Sequence, residues 1–223
     1  MKSHREFISA LLALFGSCAF AAGNLIDEIK AAQAAGRGRI ELKEKEYHFH
    51  PEDAVKIPLG ISNHDVLEKR EVFLPLIGVT NVAVVGRGTR FVFHGKGIAL
   101  LLKDCDNVTF EGISIEWEKP FYGRGEIVGF ENGRTRVRFS ERDTIVKAKN
   151  PTLVGEDWRS DFRIVNLFDR NTRAMIERTE DCFFDGGGEL CPNGDWLMNF
   201  DAEHHGRGAR AGDICVFRSL ARP

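Results

Sequence analysis

The chain has 223 residues, with 31 Lys and Arg against 33 Asp and Glu and a formal charge of −2. That length allows one or two domains with their own cores, and the near-neutral balance argues against the basic face that binds nucleic acid. Gly at 23 and Phe at 17 are frequent, a composition that favours strands and tight turns over helices.

Residues 1–22 read as a signal peptide. Lys2, His4 and Arg5 precede the apolar run "FISALLALFGSCAFA", and Ala19-Phe20-Ala21 fits a small-x-small cleavage site. The expected location is therefore secreted or periplasmic. A short membrane anchor is the alternative, but about 20 apolar residues are needed to span a bilayer and this run is shorter. Lipid attachment at Cys18 fits less well, because "FGSC" departs from the usual aliphatic-small-small-Cys pattern. No later run is long and apolar enough to cross a membrane.

Next, "NLIDEIKAAQAAG" predicts a short helix, with Asn24 as its cap and Gly36 as its end. Leu25, Ile26, Ile29 and Ala32 recur at helical spacing on one face. Ile40 and Leu42, then Tyr47 and Phe49, alternate as half-buried strands do.

The stretches "TNVAVVGRGTRFVF" and "DNVTFEGISIEWEK" repeat one pattern at an offset of 26, with Asn81 on Asn107, Val82 on Val108, Val84 on Phe110 and Gly86 on Gly112. Short strands without intervening helices, repeated at such a period, point to stacked coils of three strands per turn. Parallel ladders between coils would seat like residues over like, with Gly at tight corners and an Asn ladder at one of them. The leading helix would cover the open end of the core. An ordinary β-sandwich is the alternative, since it too has short strands and Gly turns.

From about residue 121 the pattern changes to hairpins. "GEIVGFENGRTRVRFS" turns at Asn132-Gly133, a strong hairpin signal. "FRIVNLFDRNTRAMIE" suggests a second hairpin about "DRNT", and "WLMNF" and "GDICVF" further strands. The expected organisation is thus a leader over 1–22, coils over 23–120 and a small antiparallel β-barrel over 121–223. Of the cysteines, Cys182 and Cys191 flank a Gly-rich turn and make the expected disulfide, while Cys105 reads as a buried thiol.

Two polar clusters stand out. In "ISNHDV", Asn63, His64 and Asp65 suit sugar or ion binding, or simply a capped turn. In "IEWEKPF", Glu116 and Glu118 share one strand face, and paired carboxylates suit acid–base hydrolysis of a glycosidic bond. The same alternation turns Trp117 inward, as a core residue would be. Adjacent His204 and His205 of "DAEHHG" point apart on a strand, so no metal site is expected there. "DGGGELCPNGD" lacks the spacing of a calcium loop, and "GRGTRF" lacks the third Gly and helix of a dinucleotide site.

"EYHFH", "ISNHD", "LPLIGVTNVAVVGRGTRFVFHG", "CDNVTFEGISIEWEKPF" and "GDICVFR" occur in one order. Together they resemble the N-terminal part of family-110 glycoside hydrolases, exo-acting alpha-1,3-galactosidases. The resemblance covers roughly residues 25–218. It implies an all-β fold, a right-handed parallel β-helix carrying a small antiparallel β-barrel. It also implies hydrolysis of terminal alpha-galactosides without a cofactor, and a galactoside-containing glycan as partner. Asn63, His64, Asp65, Glu116 and Glu118 are then the candidate substrate-binding residues. Glu116 stands where the family usually has Asp. The family's catalytic carboxylates lie on later coils, so no residue here matches them. The expectation is an N-terminal fragment inactive by itself, with a non-catalytic carbohydrate-binding module as the alternative.

Overall fold

The computed structural model describes residues 22–60, 68–140, 145–147 and 150–219. Helix α1 (Ala22–Ala34) begins two residues before Asn24, so Asn24 lies inside the helix and does not cap it. Gly36 ends it as expected. With φ at 65°, its N–H reaches Gln33 O at 2.9 Å and the Arg37 N–H reaches Ala32 O at 2.8 Å, a Schellman motif that needs a left-handed residue at that point. Leu25, Ile29 and Ala32 are buried, so the predicted apolar face is the one that packs.

The strands that follow are β1 (Arg39–Glu41), β2 (Glu46–Phe49), β3 (Val55–Leu59), β4 (Glu68–Ile77), β5 (Thr80–Phe93), β6 (Ile98–Lys103) and β7 (Asp106–Trp117). β4 pairs in parallel with β6, placing Val72 opposite Ile98 and Ile77 opposite Lys103. β5 pairs in parallel with β7, placing Val82 opposite Val108 and Val84 opposite Phe110. Both ladders carry the 26-residue offset seen in the sequence, and Asn107 Nδ2 donates to Asn81 Oδ1 at 2.9 Å across it. Both asparagines adopt the left-handed conformation, with φ of 55° and 50°, which Asn tolerates better than most residues. A register shift between Val85 and Thr89 then sets Phe91 opposite Ile115.

β1 and β2 form a third layer on the other side of β5, also parallel, with Ile40 opposite Val84 and Phe49 opposite Phe93. β3 joins β4 antiparallel. Parallel ladders between the layers distinguish this region from a sandwich, whose sheets are antiparallel. Inside, Phe49, Phe73, Phe91 and Phe93 are fully buried, and Phe49 stacks on Phe93 with ring centroids 4.6 Å apart. Helix α1 packs on this same core through Leu25 and Ile29.

The second region is antiparallel. Its strands are β8 (Tyr122–Glu131), β9 (Arg134–Phe139), β10 (Ile145–Lys147), β11 (Pro151–Val154), β12 (Arg159–Phe168), β13 (Cys182–Phe183), β14 (Gly188–Leu190), β15 (Trp196–Met198) and β16 (Ile214–Ser219). They run in the order β10-β11-β12-β16-β8-β9-β15-β14, with β13 attached to β12, as one barrel-like sheet. Its interior holds Ile127, Val137, Phe162, Leu167, Met198 and Phe217, a cluster separate from the layered core. The β8–β9 turn uses Asn132 and Gly133 at φ of 51° and 69°, the left-handed pair a two-residue hairpin requires. The hairpin predicted about "DRNT" is only half present. Asp169 accepts the Asn171 and Thr172 amides at 2.9 and 2.8 Å and shapes the turn, but the return is a single Phe168–Met175 bridge.

The expected Cys182–Cys191 disulfide is absent, because Cys105, Cys182, Cys191 and Cys215 are all free thiols. β13 joins β12 while β14 joins β15, so the Gly-rich turn carries the two cysteines to different parts of the sheet. Among the described residues, no helix is long and apolar enough to cross a membrane.

Candidate functional site

The last layered strand, β7, leads through Glu118, Lys119, Pro120 and Phe121 into the first barrel strand, β8. A cleft of about 600 Å³ lies at this junction, lined by Ile115, Glu116, Trp117, Glu118, Pro120, Phe121, Tyr122 and Arg124. Strand alternation decides what each side chain can do there. Trp117 turns inward, its ring centroid 5.3 Å from Phe93 and 5.9 Å from Phe121. It is partly buried and packs against the layered core at the cleft's edge, on the inward side that the alternation predicted. Phe121 continues the apolar contact into the barrel by stacking on Trp158 at 5.0 Å. Tyr122 is 47% exposed, which leaves its ring available to a ligand.

Glu116 and Glu118 are both exposed on the outer face, so the structure brings these two predicted residues to one cleft. Glu116 is held in place: Ser114 Oγ donates to its Oε1 at 3.1 Å, and Arg90 Nη1 lies 3.4 Å from its Oε2. Arg90 in turn contacts Glu46 Oε1 at 2.7 Å. One arginine therefore bridges carboxylates on the layers above and below it. The other predicted cluster, Asn63, His64 and Asp65, lies outside the described residues.

Sequence reading missed a second polar group on the same outer face. His48 on β2, His50 just after it and His94 just after β5 converge, with one ring nitrogen of each lying within 4.8 Å of the others. His48 Nδ1 faces His94 Nε2 at 2.9 Å, and the His50 and His94 rings stack at 4.2 Å. Each nitrogen on the far side meets a carboxylate. Glu46 Oε2 lies 3.4 Å from His48 Nε2, and Glu156 Oε1 lies 2.9 Å from His94 Nδ1. Glu156 comes from the barrel-like region and also accepts the Gly95 N–H at 2.8 Å, so this contact joins the two regions. The signal was in the sequence: "EYHFH" and "RFVFH" align at an offset of 44, the register in which β2 pairs with β5.

No family model matches the chain. Curated relatives do. An alpha-1,3-galactosidase B of Akkermansia muciniphila is 29% identical over 197 residues, covering 87% of this chain and 25% of the relative. One from Phocaeicola vulgatus is 29% identical over 174 residues, covering 75% of this chain and 28% of the relative. An alpha-1,3-galactosidase A of Bacteroides fragilis is 26% identical over 172 residues, covering 72% and 28%. The chain spans about a quarter of the length of these relatives. By sequence, its homologues are the alpha-1,3-galactosidases of the family-110 glycoside hydrolases, as the ordered motifs indicated.

Proposed function

We propose that the chain is part of an exported glycosidase of the alpha-galactosidase type, and that its layered strands are the first turns of a right-handed parallel β-helix. Kinship with the alpha-1,3-galactosidases is the observation that carries this reading. Graded burial supports the β-helix. In the β5 layer Val82, Val84, Phe91 and Phe93 are all buried, whereas their counterparts on β7, Val108, Phe110, Ile115 and Trp117, are partly or well exposed. A further layer would cover them, since stacking is how such a core is completed. The segment before α1 acts as the export signal.

In the complete enzyme, one carboxyl protonates the leaving oxygen of a terminal alpha-galactoside. A second activates water on the opposite face of the sugar, giving inversion without a cofactor. We infer that the described residues contribute glycan recognition and not the acid–base pair, binding glycan without cleaving it. The cleft beside Glu116 and Glu118 favours this non-catalytic role, because an exposed carboxylate and an exposed Tyr122 ring offer hydroxyl and C–H recognition side by side. Strand alternation sets Glu116 on this outer face, where it accepts hydrogen bonds from sugar hydroxyls.

The purified chain is incubated with an oligosaccharide ending in an alpha-1,3-galactose, and both binding and release of galactose are measured. Binding without release is expected, weakened about tenfold, or ~1.4 kcal/mol, by Glu116→Gln or Tyr122→Ala. Robust turnover by these 223 residues would refute this binding-only role. Absence of binding to any galactoside-containing glycan would remove the cleft as a carbohydrate site.

A further inference from the structure

We propose that His48, His94 and His50 form a binding site for a borderline transition-metal cation such as Zn²⁺. No metal is expected from the sequence of this chain, and the proposal is independent of the glycosidase kinship.

The hydrogen-bond arrangement carries it. An imidazole that donates its Nε2–H to one carboxylate presents a bare lone pair at Nδ1, and the reverse holds for the other tautomer. His48 has Glu46 at its Nε2, and His94 has Glu156 at its Nδ1. If both rings donate to their carboxylates, the two nitrogens facing each other at 2.9 Å are both acceptors. Two lone pairs at that separation repel, unless a cation lies between or beside them.

Metal-bound histidines have this surrounding. The non-ligating N–H is given to a carboxylate, which fixes ring orientation and raises the basicity of the ligating nitrogen. Here His94 has it from Glu156 at 2.9 Å, and Glu46 lies 3.4 Å from the far nitrogen of His48, close enough to take that proton after a small shift. Two imidazole nitrogens at about 2.0–2.1 Å from a tetrahedral ion sit about 3.3 Å apart, so the observed pair needs to open by only a few tenths of an ångström. His50 lies within 4.8 Å as a third nitrogen, and water completes the four. Imidazole ligands suit Zn²⁺, Cu²⁺ and Ni²⁺ rather than Ca²⁺ or Mg²⁺. Among the described residues, this is the one cluster of three potential metal-ligating side chains.

The position suggests what the ion does. His48 and His94 belong to adjacent layers, and Glu156 belongs to the barrel-like region, so an ion here would tie layer to layer and layer to barrel.

The test is calorimetric titration of the untagged full chain with ZnCl₂, with CoCl₂ followed in parallel by its visible spectrum. The expected result is one equivalent bound with Kd below about 10 μM, the intense visible bands of four-coordinate Co²⁺, and a melting temperature that rises with Zn²⁺. His48→Ala and His94→Ala should each weaken binding by at least about 30-fold. Glu156→Gln keeps a side chain of similar size and should weaken it about 10- to 100-fold, the usual effect of losing such a partner. A proton shared between His48 and His94 satisfies the same geometry. In that case the wild-type chain binds no Zn²⁺, and the proposal falls. It falls equally if His94→Ala binds with undiminished affinity, which would assign the metal elsewhere, for instance to His204 and Asp201. Should an alanine variant fail to fold, the wild-type titration and Glu156→Gln still decide.

Discussion

Replacing Gly112 with alanine tests how closely the layers approach. Gly112 has φ of 66°, and an L-residue with a Cβ pays about 1–2 kcal/mol in that region. The new methyl would also press onto the Gly86 carbonyl oxygen one layer away. That atom is backbone, at the register shift between Val85 and Thr89, and cannot swing aside as a side chain does, so overpacking adds about 1–3 kcal/mol. The sum is about 2–5 kcal/mol, which for a chain of this size is a loss of roughly 4–20 °C in Tm. Gly88 supplies the internal standard. Its φ is 76°, yet a Cβ there meets nothing within 4 Å, so Gly88→Ala pays only the backbone cost of about 1–2 kcal/mol. Urea unfolding of wild type and both variants, followed by tryptophan fluorescence, separates the two contributions. Gly112→Ala should lose about 1–3 kcal/mol more than Gly88→Ala. Equal losses would refute the close packing of Gly86 and Gly112 and the layer spacing inferred from it.

Other parts of the fold make further predictions. Thr135 is fully buried, its hydroxyl donating to Phe200 O at 2.7 Å and accepting from Ala202 N at 2.9 Å. Thr135→Val strands both backbone groups and should cost about 2–4 kcal/mol by denaturant unfolding, and a loss below about 0.5 kcal/mol would contradict the pairing. Burial raises the Cys215 thiol well above its ordinary range, whereas Cys191 is half-exposed with Arg136 Nη1 at 2.8 Å. A thiol reagent at mildly alkaline pH should label Cys191 in the native protein and Cys215 only on unfolding, and the opposite order would overturn these placements. The Gly187 N–H and then the Asn199 side chain hold Asp185 below the usual carboxylate range. Its contribution to stability is therefore full above the unfolded value of about 3.9 and is lost as pH falls through the lower folded value. The stability gap between wild type and Asp185→Asn should be constant from neutral pH down to about 5 and close below that, and a gap that widens on acidification would contradict the assignment.

The stacked layers were legible because parallel pairing forces equivalent residues to recur. Asn81 and Asn107 share a left-handed corner and a side-chain hydrogen bond, and each constraint restricts the residue type. The β8–β9 turn was legible for the same reason, since few residues other than Asn and Gly accept its backbone. The first layer was harder to see. β3, β4 and the residues between them separate β2 from its partner β5, so the 44-residue match of "EYHFH" with "RFVFH" lies outside the main period, and with it the three histidines. The Cys182–Cys191 expectation failed because nearness along a chain does not say which strands pair, and β13 and β14 pair with different partners. The Asn24 cap failed by two residues, a displacement that local propensity does not resolve. Of the candidate site, the outward carboxylates followed from alternation. The exposed Tyr122, the Arg90 bridge and the Glu156 contact did not, because they depend on the junction between two regions and not on either pattern.

Residues 26 apart sit face to face in adjacent parallel layers. Nuclear Overhauser contacts in a methyl- and aromatic-labelled sample test it directly. Contacts are expected between the Val82 and Val108 methyls and between the Val84 methyls and the Phe110 ring. A slip of one residue would turn every one of these side chains to the opposite face. Absence of the Val82–Val108 and Val84–Phe110 contacts, with these methyls instead meeting residues of the barrel-like sheet, would contradict the stacking.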